Sequence, residues 1–195
     1  MMMNQQRLWL ALASTLSLTL AACGDSGPVP GEITLTDAFV ADFDLVDHNG
    51  EAASDERFEG KPMLIYFGFT HCPDVCPASL SVMTASLDAL GSKADQIQPL
   101  FITVDPERDT PEALRQHLSF DDRILGLTGE AEALETARKN LRMFAAKVPL
   151  DDSALGYTMD HQSLFFLIDR QGNAVRAFDD GMDPRVLARA VERWL

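Results

Sequence analysis

Three runs of mostly apolar residues are the strongest hydrophobic pattern in the chain, and they predict the central strands of a sheet. They occupy residues 63–69, 98–104 and 163–169. A strand that is apolar on both faces, rather than at every second position, is expected to be covered on both sides. A turn at residues 171–173 and a shorter strand at 174–178 follow, and we expect this last strand to lie at the edge of the sheet.

Helical periodicity predicts the elements between these strands. Four apolar residues between positions 80 and 90 are spaced to share one face of a helix that begins near Pro77 and ends near Gly91. Further helices are predicted at residues 131–146 and 184–195. Another helix begins at residue 109, where Asp109 and Glu112 have the spacing of a capping box and Pro111 lies in the first turn.

The order of these elements predicts the fold class. Residues 43–53 read as a hairpin, because Asn49-Gly50 suits a tight turn. Strands that alternate with helices, followed by a hairpin and a closing helix, predict an α/β domain with a central mixed sheet flanked by helices and an N-terminal β-hairpin. We place this domain at residues 39–195.

The first 22 residues have the pattern of an export signal. Arg7 precedes an apolar stretch at residues 8–20, and the small residues Ala21 and Ala22 precede Cys23. The stretch is shorter than the roughly 20 residues that a membrane-spanning helix needs. Residues 20–23 also resemble a bacterial lipobox, which predicts lipidation of Cys23, whereas ordinary cleavage would leave a free thiol there. Residues 23–38 are predicted to be a flexible tether.

Acidic residues outnumber basic ones by 30 to 16, which gives a net charge of −14. Loss of the export signal removes only Arg7 and leaves −15 on the mature chain. A surface this acidic repels phosphate backbones, so nucleic acid is excluded as a partner.

Two cysteines four positions apart are the chief candidates for chemistry, in the motif Thr70-His71-Cys72-Pro73-Asp74-Val75-Cys76-Pro77. Pro77 predicts that Cys76 lies at or near a helix N-cap, where free amides and the helix dipole would lower the pKa of its thiol. Two thiols at this spacing can form a disulfide or bind a soft metal, and paired thiolates favour Cu(I). A structural zinc site would need four protein ligands.

Histidine is the expected third ligand if the cysteines bind metal. His161 precedes a predicted central strand and is the best-placed candidate, although a lone histidine is often structural. His71 points away from its neighbour Cys72, and we expect His48 and His117 to face solvent.

Carboxylates flank the predicted site. Asp105 follows a central strand and is a candidate to support a ligand or to dock a partner, whereas Asp109 is explained by helix capping. Asp74 and Asp160 adjoin the candidate ligands and could act as Asp105 does, or could be solvated loop residues.

Three separated motifs resemble the Sco/SenC family of copper-binding, thioredoxin-like proteins. They are residues 66–77, the segment Asp105-Pro106-Glu107-Arg108-Asp109-Thr110-Pro111, and Asp160-His161-Gln162-Ser163. The resemblance implies a thioredoxin-like fold in which copper, as Cu(I), Cu(II) or both, is bound by Cys72, Cys76 and His161. It also implies assembly of the binuclear copper centre in subunit II of cytochrome c oxidase. Some members act instead as thiol-disulfide reductases, which would use Cys72 and Cys76, or in copper homeostasis.

The remaining expectations concern partners and location. The resemblance implies an oxidase subunit as client, and the use of reduced thiols implies a periplasmic thiol reductant. The predicted lipid at Cys23 implies attachment to a bacterial membrane on the periplasmic side, and we expect the inner membrane. Residues 148–156 are short and acidic for the hairpin that usually presents the histidine in this family.

Overall fold

The structure is a computed structural model that describes residues 27–151 and 153–195. The predicted export signal and Cys23 therefore lie outside the described residues. The strands are β1 (Glu32–Val40), β2 (Asp44–Asp47), β3 (Ala52–Ser54), β4 (Met63–Gly68), β5 (Gln98–Thr103), β6 (Leu125–Thr128), β7 (Ala145–Pro149), β8 (Tyr157–His161), β9 (Leu164–Ile168) and β10 (Asn173–Asp179). The helices are α1 (Val75–Leu90), α2 (Pro111–His117), α3 (Ala131–Asn140) and α4 (Pro184–Glu192).

Eight of these strands form one mixed sheet, in the order β1-β10-β9-β4-β5-β6-β2-β3. Strand β4 pairs parallel with β5 and antiparallel with β9, and every residue of β4 is buried. Helix α1 packs against α4, α2 packs against β6, and α3 packs against β2. The predicted thioredoxin-like mixed sheet flanked by helices is thus confirmed, and β2 and β3 form the predicted hairpin.

Aromatic side chains fill the centre of this sheet. Tyr66, Phe101 and Phe165 are almost completely buried, and the ring of Tyr66 lies 5.3 Å from that of Phe165 and 6.3 Å from that of Phe101, centroid to centroid. A row of paired residues crosses four strands here, from Glu32 through Phe178 and Phe165 to Tyr66. This row lies toward the carboxyl end of β4, where the cysteine motif follows.

The N-terminal strand β1 corrects two predictions. Residues 32–38 were predicted to belong to the tether, but they are part of β1, which pairs antiparallel with β10. Strand β10 is consequently an interior strand, and the prediction of an edge strand at 174–178 is wrong. The alternation of Ile33 and Leu35 with polar neighbours was the available signal, and Leu35 does pack against the core.

The second half of the helix predicted at residues 131–146 is also wrong. Helix α3 ends at Asn140, and Arg142 has a positive φ of 49° that turns the chain away from the helix axis. The chain then enters β7, which pairs with β8 as a separate two-stranded sheet. Strand β6 was not predicted at all.

No helix within the described ranges is both long enough and apolar enough to cross a membrane.

Candidate metal centre

Helix α1 presents the two cysteines at its first turn. Asp74 occupies the N-cap position and Cys76 is the second helical residue, so the helix begins two residues earlier than Pro77 predicted. Cys72 lies in the preceding loop, and the Cys76 backbone amide points at its sulfur, with an N···Sγ distance of 3.4 Å. Both thiols are free. Cys76 is buried and Cys72 is half-buried, so the two sulfurs differ in access to solvent.

His161 reaches the same place from the far end of the chain. It is the last residue of β8, and its Nε2 lies 3.8 Å from the sulfur of Cys76, although 85 residues separate the two. Its Nδ1 lies 3.0 Å from the carbonyl oxygen of Gln162. A carbonyl can only accept, so Nδ1 carries the proton and donates it, which leaves the lone pair of Nε2 directed toward the thiol.

Two aromatic rings pack against the imidazole of His161. The imidazole of His161 meets the ring of Phe69 edge to face at 6.0 Å and that of Tyr66 at 6.3 Å. The Tyr66 hydroxyl lies 4.0 Å from the Cys76 sulfur. Gly68 packs directly against Cys76 and leaves no room for a side chain, because a Cβ at that position would lie 3.1 Å from the sulfur.

Burial controls the protonation of Cys76. Its pKa is raised to about 12, chiefly because the surrounding core disfavours the charged thiolate. The sequence led us to expect a lowered pKa at the helix N-terminus, and that expectation is wrong for Cys76, because desolvation outweighs the helix dipole. A cation that binds this sulfur must therefore displace a proton.

The three candidate ligands are close but are not assembled as a cluster. Cys76 lies between the other two ligands. Its backbone amide contacts the Cys72 sulfur, and its own sulfur contacts the His161 Nε2. Among residues 27–151 and 153–195, no three His, Cys, Asp or Glu side chains are grouped closely enough to hold a metal ion as they stand. Coordination by all three would therefore need the Cys72 sulfur to turn from the Cys76 amide toward the other two ligands.

Asp105 contributes to the site as a buried link, because only 2% of its surface is exposed. Its carboxylate accepts a hydrogen bond from the Tyr157 hydroxyl at 2.8 Å and forms an ion pair with Arg108. Burial rules out a role for Asp105 as a docking charge. Asp74 and Asp160 are exposed, and Asp74 makes no side-chain cap to α1, as expected of solvated loop carboxylates.

Asp109 was wrongly explained as a helix cap. Thr110 occupies the N-cap of α2, and its hydroxyl accepts from the Ala113 amide. The buried carboxylate of Asp109 instead accepts bonds from the Thr70 amide, the Thr70 hydroxyl and the Thr103 hydroxyl, at 3.0, 2.6 and 2.6 Å. Asp109 therefore fixes the start of the loop that carries Cys72. The sequence signal was its place after a central strand, which Asp105 shares.

The other histidines lie apart from the sulfurs. His71 is exposed and its Nδ1 contacts the Thr70 hydroxyl at 3.0 Å. His48 and His117 are half-buried, which corrects the expectation that they face solvent. Nδ1 of His48 accepts from the Gly126 amide, and the ring of His117 packs 5.7 Å from that of Phe101. Burial lowers the pKa of both imidazoles, so both are neutral packing elements near pH 7.

Comparison with known proteins identifies the family of the chain. Residues 31–195 match the family model described as SCO1/SenC. An SCO2-like protein of Rickettsia conorii is 38% identical over 167 residues, which cover 84% of this chain and 82% of that protein. The solved structure of Bradyrhizobium japonicum ScoI with copper bound shares 43% identity and a TM-score of 0.75, over 81% of this chain and all of that one. Yeast Sco1 with copper bound shares 34% identity and a TM-score of 0.73, over 80% of this chain and 88% of that one. The chain belongs to the SCO1/SenC family.

Proposed function

We propose that the protein is a copper metallochaperone in which Cys72, Cys76 and His161 bind copper and pass it to the binuclear copper centre of cytochrome c oxidase subunit II. The observation that carries the proposal is the 3.8 Å approach of the His161 Nε2 to the Cys76 sulfur across 85 residues of sequence. Bradyrhizobium japonicum ScoI and yeast Sco1 have each been solved with copper bound, which supports copper as the cargo. The oxidase client is the expectation from the family.

The chemistry of the donor set fits copper. Two sulfurs and one imidazole nitrogen form a soft set that favours Cu(I) over hard cations. Cys72 is half-buried whereas Cys76 is buried, and the Cys72 sulfur makes a weak contact with the Cys76 amide, so Cys72 is the ligand that a partner can reach first. Transfer by ligand exchange would start at Cys72 and end at the buried Cys76 and the half-buried His161.

Copper titration of the reduced protein tests the ligand set. His161→Ala is compared with His71→Ala, a matched variant that removes an exposed histidine adjacent to Cys72. We expect the wild type and His71→Ala to bind one equivalent with thiolate-to-copper charge-transfer bands, and His161→Ala to lose tight binding while it keeps disulfide exchange. Equal titrations of the two variants, or binding of zinc without copper, would refute the proposal.

Delivery is tested in cells that lack the endogenous protein. We expect a plasmid copy of the wild type or of His71→Ala to restore the copper centre of the oxidase, and His161→Ala to fail at equal protein level. Oxidase assembly supported fully by His161→Ala would reject the metallochaperone role.

A thiol-disulfide reductase is the second candidate, favoured by the unequal exposure of the two free thiols. The Cys72 thiolate would attack a disulfide of the client and release one client thiol, and Cys76 would then displace the second. The client gains two electrons as a dithiol and the protein is left with a Cys72–Cys76 disulfide, which a periplasmic thiol reductant must reduce. Cys76→Ser should trap the mixed disulfide, and a Cys72→Ser variant that reduces the client as fast as the wild type would exclude this role.

We also propose that lipidation at Cys23 attaches the domain to the inner membrane of a bacterial cell, on its periplasmic side. The support is the lipobox-like sequence at residues 20–23. Intact-mass measurement of the protein from membrane fractions should give an acylated chain that begins at Cys23. A soluble chain that begins at another residue would reject the anchor.

A further inference from the structure

Tyr157, the first residue of β8, is restrained at its hydroxyl, its backbone and its ring. Its hydroxyl donates to the Asp105 carboxylate at 2.8 Å, and its carbonyl oxygen accepts from Arg108 at 3.2 Å. The Arg108 guanidinium and the Lys147 ammonium each lie 3.8 Å from the centre of its ring. We call the four residues Asp105, Arg108, Lys147 and Tyr157 the tyrosine clamp.

We infer that the tyrosine clamp positions His161, so that Tyr157 controls the affinity for copper although it contributes no ligand. The inference rests on the proposed function. The clamp differs from the ligands because its restraints act on the hydroxyl, ring and backbone of Tyr157, at the opposite end of β8 from His161.

The hairpin formed by β7 and β8 requires restraints from outside itself to hold its position. Among the residues that the structure describes, strands β7 and β8 pair only with each other and form no ladder with the central sheet. An isolated two-stranded hairpin is marginally stable in water, so its position depends on side-chain links to the rest of the domain. At the end that bears His161, the link is a hydrogen bond from Arg138 to the carbonyl oxygen of Ala145, which pairs with His161. At the other end, where Tyr157 pairs with Pro149, the link is the tyrosine clamp.

Strand geometry connects Tyr157 to His161. Residues an even number of positions apart on a strand face the same side, so Tyr157, Met159 and His161 all point toward the domain while Asp160 is exposed. Met159 packs against the core between the two. A displacement of Tyr157 is therefore carried along β8 to the imidazole.

Arg108 connects the clamp to the imidazole by a second route. Its guanidinium lies 5.8 Å from the centre of the Phe69 ring, and Phe69 supports His161 edge to face. The loop after β5 thus contacts both the strand that bears the histidine and the ring on which the histidine rests.

A double-mutant cycle tests the inference, with Cu(I) affinity measured by competition with a chromophoric chelator on the reduced full-length protein. Loss of a group that orients a metal ligand typically weakens metal binding by about 10- to 100-fold, and we expect a loss of this size for Tyr157→Phe. In the His161→Ala background the same substitution should change nothing, because the residue that it positions is gone. A purely structural role would give the same loss in both backgrounds, and that result would overturn the inference.

Two further variants sharpen the cycle. Lys147→Gln removes an exposed member of the clamp, so it should fold normally and weaken copper binding less than Tyr157→Phe. Arg57→Gln is the matched control, since it breaks an ion pair to the buried Asp47 at the far edge of the sheet and should lower stability without changing copper affinity.

Hydrogen exchange separates a failure of this inference from a failure of the proposed function. Without copper, Tyr157→Phe should speed exchange of the amides paired between β7 and β8 and leave those of β4 unchanged. If the wild type binds no copper, the proposed function fails while faster hairpin exchange still supports the clamp. Unchanged hairpin exchange, or unchanged copper affinity in a copper-binding protein, would overturn the clamp.

Discussion

Replacement of Gly68 by alanine is expected to destabilise the protein through a single methyl group. Gly68 ends β4, and a Cβ there would lie 2.7 Å from Cε2 of Phe101 and 3.1 Å from the sulfur of Cys76. An ordinary contact begins near 3.4 Å, so the ring must retreat by about 0.7 Å. Phe101 is fully buried against the rings of Tyr66 and His117, so it has little room to retreat.

Two opposing effects determine how much Gly68→Ala changes the free energy of unfolding. Overpacking of a filled core costs about 1–3 kcal/mol. The lower backbone entropy of alanine in the unfolded chain offsets about 0.4–1 kcal/mol, because Gly68 does not have a positive φ. We expect Gly68→Ala to lower the free energy of unfolding by about 1–2 kcal/mol, with the upper end favoured by the rigidity of the aromatic neighbours.

Urea unfolding of the reduced protein measures this change. Gly181→Ala is the control, since Gly181 is exposed and its nearest neighbour is a side-chain oxygen of Asp179 at 3.3 Å. A change below about 0.5 kcal/mol is expected for the control, as for most surface substitutions. If Gly68→Ala unfolds at the same urea concentration as the wild type, the ring of Phe101 has room to retreat and the packing around Cys76 is looser than the 2.7 and 3.1 Å distances imply.

Three further predictions address the buried carboxylates and the thiols. Asp109→Asn should cost about 1–3 kcal/mol in urea unfolding and speed amide exchange at Thr70, because an amide cannot accept all three bonds that the carboxylate accepts; an unchanged Thr70 amide would contradict it. Burial alone raises the pKa of Glu32, but bonds from the Val29 amide, Arg193 and Arg176 outweigh burial and hold the pKa below its usual value. Glu32 therefore stabilises the fold at pH 7, and this contribution is lost as the pH falls below about 4.3 and through the lowered pKa. Glu32→Gln should be less stable at pH 7 and equal to the wild type near pH 2, and a pH-independent difference would contradict the assignment. Cys72 should react with iodoacetamide before Cys76, as followed by peptide mass spectrometry, because Cys76 is buried with a raised pKa; faster labelling of Cys76 would contradict it.

The central sheet was predictable because its strands are buried on both faces. Such strands are apolar throughout, and β4, β5 and β9 were all found from that pattern. Strand β1 was missed because it follows a segment rich in glycine and proline, and because threonines and an aspartate interrupt its apolar residues, so that it has no continuous apolar run like those of the central strands. Its partner β10 lies more than 130 residues away, and nothing in the local sequence announces such a pairing.

The site was predictable as a set of residues but not as an arrangement. The cysteine spacing and the resemblance to a family selected Cys72, Cys76 and His161. Local sequence contains no record of the contacts that cross the chain, such as Thr70 with Asp109 or Asp105 with Tyr157. Nor does it reveal desolvation, which depends on the whole core and decides the pKa of Cys76.

The row of paired residues from Glu32 to Tyr66 determines which end of the sheet lies next to the tether. The chain enters the sheet at Glu32, three strand spacings from Tyr66, which is about 14 Å at the usual spacing between strands. Both residues lie toward the end of the sheet that bears the thiols. Nine residues from Cys23 to Gly31 can span at most about 30 Å. A lipid at Cys23 would therefore attach the domain to the membrane at the end of the sheet that bears the thiols. The copper site would then stay close to the membrane surface, and a client site that lies much farther from the membrane would have to move toward it.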